Sequence, residues 1–252
     1  MVEEWQVATL AEKIPPQALK QGSQHIAKVL AEQAKSLKME SDFSLQGQWL
    51  QIRARGEDAG AFLNLLKREY GDANTSRLNL EKWDAVKGFV TGAGRIGYGV
   101  YIDIGIRQPA PKDALYPLHR MRAQLSDGEA KSSREILEGN ALVDSVPLKV
   151  VVTELEGENI SVELTDEARE QLVSWRKYPF DRVIVVGADK TRAENAVIAS
   201  GLQSDIVKVE SLSIFVQSLL CKIGTDAPGV IAKIGNRLRG VGLTSYRTPT
   251  KL

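Results

Sequence analysis

Gly97-Tyr98-Gly99-Val100-Tyr101-Ile102-Asp103-Ile104-Gly105 follows Gly88-Phe89-Val90 and precedes Ala114-Leu115-Tyr116-Pro117-Leu118-His119-Arg120-Met121-Arg122. Each stretch mixes aromatic and β-branched residues, with glycine or proline between stretches, the pattern of short strands joined by tight turns. Reading outward, the spacing predicts strands over residues 87–91, 98–106, 114–118, 148–155 and 160–164. Five short strands predict a small barrel. The polar stretch 124–133 between the third and fourth reads as an insertion or mobile loop, followed by a short helix around 134–142. Strict alternation puts Tyr98 and Tyr101 on opposite faces of one strand. A bulge at Gly99 is the expected device that brings them together.

On the N-terminal side, an apolar stretch at residues 5–10 leads to Pro15-Pro16, a good helix start because proline is tolerated in the first turn. Leu19, Ile26, Val29, Leu30 and Leu37 form one apolar stripe of a long helix, with His25 at its edge as a structural residue. Gln46-Gly47 reads as a hairpin turn between two strands, and Glu57-Asp58 open a second helix through Phe62, Leu65, Leu66 and Tyr70 that stops at Gly71. A last strand is expected at 76–80. The order resembles a ferredoxin-like unit.

On the C-terminal side, Val183-Ile184-Val185-Val186 suits a buried strand, and residues 193–198 continue as a helix stopped by Gly201. Residues 206–209 and 214–223 read as strands, Asp226-Ala227-Pro228-Gly229 starts a helix through Leu238, and 243–246 supply a final strand. Strand, helix, strand, strand, helix, strand is the split βαβ, ferredoxin-like order. The expected fold class is therefore α+β and multidomain. It comprises a ferredoxin-like α/β unit over 1–82, an OB-like barrel with an insertion over 83–175, and a ferredoxin-like unit over 176–252.

The balance of 33 Lys+Arg against 32 Asp+Glu, with 43% hydrophobic residues, excludes disordered, collagen-like and disulfide-scaffold classes. One cysteine, Cys221, allows no intramolecular disulfide and builds no thiolate metal site alone. No apolar run approaches the ~18 residues of a membrane span and no secretory signal opens the chain, so a cytoplasmic location is expected. The charge is unevenly spread. Residues 83–165 are net −3, residues 166–252 are net +4, and after Asp226 only basic side chains follow, Arg237, Arg239, Arg247 and Lys251 among them. Such an end attracts polyanions.

Gly92-Ala93-Gly94-Arg95-Ile96-Gly97 matches G-x-G-x-x-G but leads into a strand, where a dinucleotide site needs a helix. Val186-Gly187-Ala188-Asp189-Lys190-Thr191 lacks the spacing of a phosphate loop and reads as a turn capped by Asp189 or Thr191. Two histidines, His25 and His119, in different segments supply neither a metal set nor a triad. No catalytic constellation, metal or cofactor is expected.

The run 88–122 resembles the RNA-binding OB-fold family named after bacterial ribosomal protein S-one, whose pattern reads G-x-V, (F/Y)-G-A-(F/Y)-V-D-I-G and a later histidine-containing turn. That resemblance implies a nucleic-acid face bearing Phe89, Tyr98, Tyr101 and His119, with Arg120 and Arg122 on phosphates. Separately, Cys221 to Ile234 resembles the strand-loop-helix of ligand-sensing ACT domains, which implies a small-anion site at Thr225, Asp226 and Gly229. As a whole, the layout is similar to an uncharacterised archaeal protein family. The leading expectation is a non-catalytic protein that binds RNA, or the ribosome or another ribonucleoprotein, through the barrel, with Arg237, Arg239, Arg247 and Lys251 as diffuse phosphate contacts and a protein as a further partner. The alternative is a ligand sensor acting at the 225–229 turn.

Overall fold

A computed structural model describes residues 4–22, 26–27, 37–73 and 75–248. His25, Val29, Leu30 and Lys251 therefore lie outside the described residues.

In the N-terminal unit, β1 (Gln6–Lys13), β2 (Met39–Gln46) and β3 (Trp49–Gly56) form an antiparallel sheet ordered β1-β3-β2, covered by α2 (Ala59–Tyr70). A short helix, α1 (Pro16–Leu19), follows β1 with proline at its start. The hairpin turn falls where Gln46-Gly47 places it, because Gly47 takes φ +68°, open to glycine at no steric cost. The strand expected at 76–80 is absent. Arg77–Asn79 form a 3-10 turn, and only Ser76 makes a single bridge, to Gln108. Leu78 is 89% exposed and packs into no sheet, and Leu80 is buried against the barrel core without strand pairing.

The barrel comprises β4 (Ala85–Thr91), β5 (Gly99–Asp103), β6 (Ala114–Pro117), β7 (Pro147–Glu156) and β8 (Asn159–Leu164), closed in the order β4-β5-β6-β8-β7 with β6 and β8 parallel. Inward residues Val90, Val100, Ile102, Tyr116, Val150 and Val162 alternate with outward ones, the period that made these strands legible. The stretch after β6, read as a strand end followed by a loop, instead holds α3 (Leu118–Leu125), anchored by buried Met121 and Leu125, and the short helix expected around 134–142 is α4 (Ser133–Gly139), started by a capping box of Ser132 and Glu135. Sequence reading passed over α5 (Asp166–Lys177). Its signature was present: a Thr165 cap, acid in the first turn, base in the last, and Ala168, Leu172 and Trp175 on one face.

The C-terminal unit runs β9 (Arg182–Val186), α6 (Lys190–Ala199), β10 (Ile206–Ser213), β11 (Val216–Cys221), α7 (Ala227–Ile234) and β12 (Gly242–Tyr246), with an antiparallel sheet ordered β10-β11-β9-β12. Asp189 caps α6 through Arg192 N at 3.1 Å. Cys221 is buried, its thiol pushed up to about 12 first by burial and then by Asp181.

The three units do not have three separate cores. Ile184, Val216 and Tyr246 join the barrel cluster, and Ile214 with Phe215 join the N-terminal one. Polar ties reinforce these contacts. Glu12 on β1 is 1% exposed and accepts from Lys87 on β4 and from Ile214 N, at 3.3 Å, between β10 and β11. Burial holds its carboxyl above the usual range despite the opposing pull of Lys87. The folded state thus binds this proton more tightly than the unfolded chain. Its contribution to stability must fall as pH rises from the ordinary carboxylate value, about 4. Glu12→Gln keeps an acceptor for Ile214 N and removes that titration. The stability of wild type minus that of Glu12→Gln, from urea denaturation across the acid range, should fall with rising pH; a flat or rising difference refutes this assignment.

Candidate nucleic-acid interface

Three strands present one outward row. Tyr101 on β5 sits opposite Leu115 on β6, and Leu115 pairs with Ser161 on β8. Each is half-exposed, whereas their chain neighbours Val100, Ile102, Ala114, Tyr116, Ile160 and Val162 point into the barrel. Tyr98 is 57% exposed and its hydroxyl lies 3.1 Å from that of Tyr101. The expected bulge at Gly99 is not how the rings meet, because the β5–β6 register is regular from Gly99 to Ile102. Tyr98 lies just before the strand, in a bend held by its carbonyl accepting from Leu118 N at 2.8 Å, so alternation does not govern it. The hydrogen bond with Tyr98, then burial, raises the Tyr101 phenol above its ordinary value.

Beside Tyr101, a depression of about 350 Å³ is lined by Asp113, Asn159 and Ser161 together with Lys112, Glu154 and Glu156. Burial first, and then the charge of Asp103, raises the Asp113 carboxyl. Lys112 is tied to Glu158 at 3.4 Å. The loop before β5 carries Arg95, which is exposed. It is anchored by Asp144 accepting from Ala93 N at 2.7 Å and by Ser133 donating to the Ile96 carbonyl at 2.8 Å. This face thus offers two aromatic rings and a set of hydrogen-bonding groups, and its carboxylates outnumber its free cations. Such a surface suits stacked, splayed-out bases better than a phosphate track.

The remaining predicted residues divide. Phe89 is fully buried and meets Trp49 edge-on, centroids 5.5 Å apart, so it joins the N-terminal unit to the barrel and is not on the outer face. On β4 it points away from the barrel interior that Val90 faces, opposite Asp103, and is buried because the N-terminal unit covers it there. His119, Arg120 and Arg122 ride on α3 and not on a strand-end turn. His119 is exposed, Arg120 pairs with Glu163 at 3.0 Å, and Arg122 donates to the Lys131 carbonyl at 2.8 Å, which secures the loop before α4. Arg237 and Arg239 are exposed on the C-terminal unit, and Arg247 lies 3.5 Å from Asp226. At the 225–229 turn the helix N–H groups are already used. Asp226 accepts from Gly229 N at 3.0 Å, and Asp181 accepts from Ala227 N at 3.2 Å. Thr225 N donates back to the Lys222 carbonyl at 2.9 Å. Capping accounts for this turn.

A network that sequence reading did not single out lies further along β5, where the N-terminal unit covers the strand. Asp103 at the end of β5 is buried and takes Lys13 Nζ at 2.8 Å, Arg107 Nη2 at 3.0 Å, Trp49 Nε1 at 3.1 Å and Gly105 N at 3.0 Å. One signal for it existed, an acid inside the apolar run 100–106.

Two family models match the chain, one for a central domain over residues 80–176 and one for a C-terminal domain over residues 180–244. The chain carries the DUF2110 central and C-terminal domains. No curated protein matches it. The DUF2110 central domain spans the whole barrel with α3, α4 and most of α5, and so contains the tyrosine row. The DUF2110 C-terminal domain spans β9 to α7 and most of β12. No helix among the described residues is long and apolar enough to cross a membrane.

Proposed function

We propose that the protein binds single-stranded RNA, free or within a ribonucleoprotein, through the outer face of β5, β6 and β8. The observation that carries this reading is the adjoining, solvent-facing pair Tyr98 and Tyr101 on a five-stranded closed barrel. Supporting it, the strand order with parallel β6 and β8 and helices inserted before β7 is that of an OB barrel, whose second and third strands carry the binding face. In the same reading the C-terminal unit is ferredoxin-like and serves as support. Arg237 and Arg239 add only diffuse attraction.

Each ring stacked on a base contributes about 1 to 3 kcal/mol. Tyr98→Ala with Tyr101→Ala should therefore weaken binding to a short single-stranded RNA by about 2 kcal/mol or more, roughly thirtyfold, while the thermal midpoint stays close to wild type. With so few free cations beside the row, the log–log salt slope should correspond to about one or two phosphate contacts, near 0.7 each. Unchanged affinity in the folded double variant, measured by fluorescence anisotropy, refutes the reading.

A further inference from the structure

The C-terminal end of α2, the strand β4, the segment 140–149, α5 and β10 converge on a cleft of about 510 Å³, within the range of small-molecule sites. Each of the three units contributes to its wall. Leu142, Leu172, Trp175 and Leu212 make that wall largely apolar. Asn140, 4% exposed, lines it as well. Its Nδ2 donates to the Ile136 carbonyl at 2.7 Å, which assigns the amide orientation, and its buried Oδ1 accepts no hydrogen bond among the described residues. The cations at the rim differ in commitment. Lys87 engages Glu12 and Lys149 lies 3.0 Å from Glu167, whereas Arg68, exposed in the last turn of α2, forms no ion pair among the described residues.

We infer that this cleft binds a small organic anion that has an aromatic or aliphatic body. The body lies against Leu172 and Trp175, and the anionic group meets Arg68, for which a guanidinium is well suited. A ligand held there touches all three units and therefore stabilises their mutual packing. This site is independent of the tyrosine row.

The probe is 8-anilinonaphthalene-1-sulfonate, which combines an aromatic body and a sulfonate. Titrated into the folded chain, it should bind saturably at one site and raise the thermal midpoint, which keeps climbing with the logarithm of the free concentration once the site is filled. Gln171→Trp, at an exposed position of the lining, should obstruct the cleft, and Arg68→Glu, likewise exposed, should reverse the rim charge. Each should weaken binding by about tenfold or more with the circular dichroism spectrum unchanged. No saturable binding, or binding indifferent to both variants, overturns the site. Loss with Gln171→Trp alone overturns the anion assignment, and loss with Arg68→Glu alone places the dye outside the cleft and overturns the proposal.

Discussion

Asp103→Ala is expected to lower the unfolding free energy by about 3 to 5 kcal/mol, the usual result when one partner of a buried ion pair is removed. The cost comes from what is left behind. The Lys13 side chain is 9% exposed and Arg107 13%, and both point their charge at this one carboxylate. Trp49 Nε1 loses its acceptor as well, so the variant strands two cations and a donor at the junction between the N-terminal sheet and the barrel. Asp103→Asn, which keeps an acceptor for Trp49 and Gly105 N, should cost less. Burial alone would raise this carboxyl, but Lys13 and Arg107 outweigh it and hold Asp103 below its ordinary value. A depressed folded value means that the stabilisation is complete above the unfolded value, about 4, and is lost as pH falls through the folded one. The slope is opposite in sign to that of Glu12. Urea denaturation from neutral pH downward should show a steeper acid loss in wild type than in Asp103→Asn; identical acid limbs, or a wild-type midpoint in Asp103→Ala, would contradict the role of this network.

Gly99→Ala should destabilise the barrel by about 3 kcal/mol, at the upper end for overpacking, because nothing soft is available to yield. A Cβ there would stand 2.4 Å from the Tyr116 carbonyl oxygen and 3.0 Å from Pro117 Cα, both backbone atoms of the neighbouring strand. Making room requires β6 to move away from β5, which opens the pairing of Gly99 with Pro117 and Val100 with Tyr116. Tyr98 would shift with it and leave Tyr101. The variant should therefore lose midpoint in thermal denaturation and RNA affinity together, whereas the double tyrosine variant loses affinity alone. A midpoint unchanged from wild type would show that β5 and β6 are not packed as described.

How far the sequence could be read follows from the range of the forces involved. Period-two alternation and glycine punctuation are local, so the five barrel strands and the βαββαβ order of the C-terminal segment were visible without any partner. Capping is local too, and α5 was announced by Thr165, Asp166 and Glu167 as clearly as the helix after Asp226. The 76–80 stretch misled because an apolar residue in a short run carries no information about whether a sheet edge is there to receive it. Phe89 misled for a related reason: alternation says that it points to one face, and only the presence of Trp49 across the junction decides that this face is interior. The sequence by itself determined most of the elements, the barrel and the candidate tyrosines. Tertiary structure decided that Tyr98 escapes the strand and meets Tyr101, that three segments share cores, and that Asp103, 54 residues beyond Trp49 in the chain, collects its partners. Such contacts depend on which surfaces dock, and docking is a sum over many distant side chains, none of which marks it in a local window.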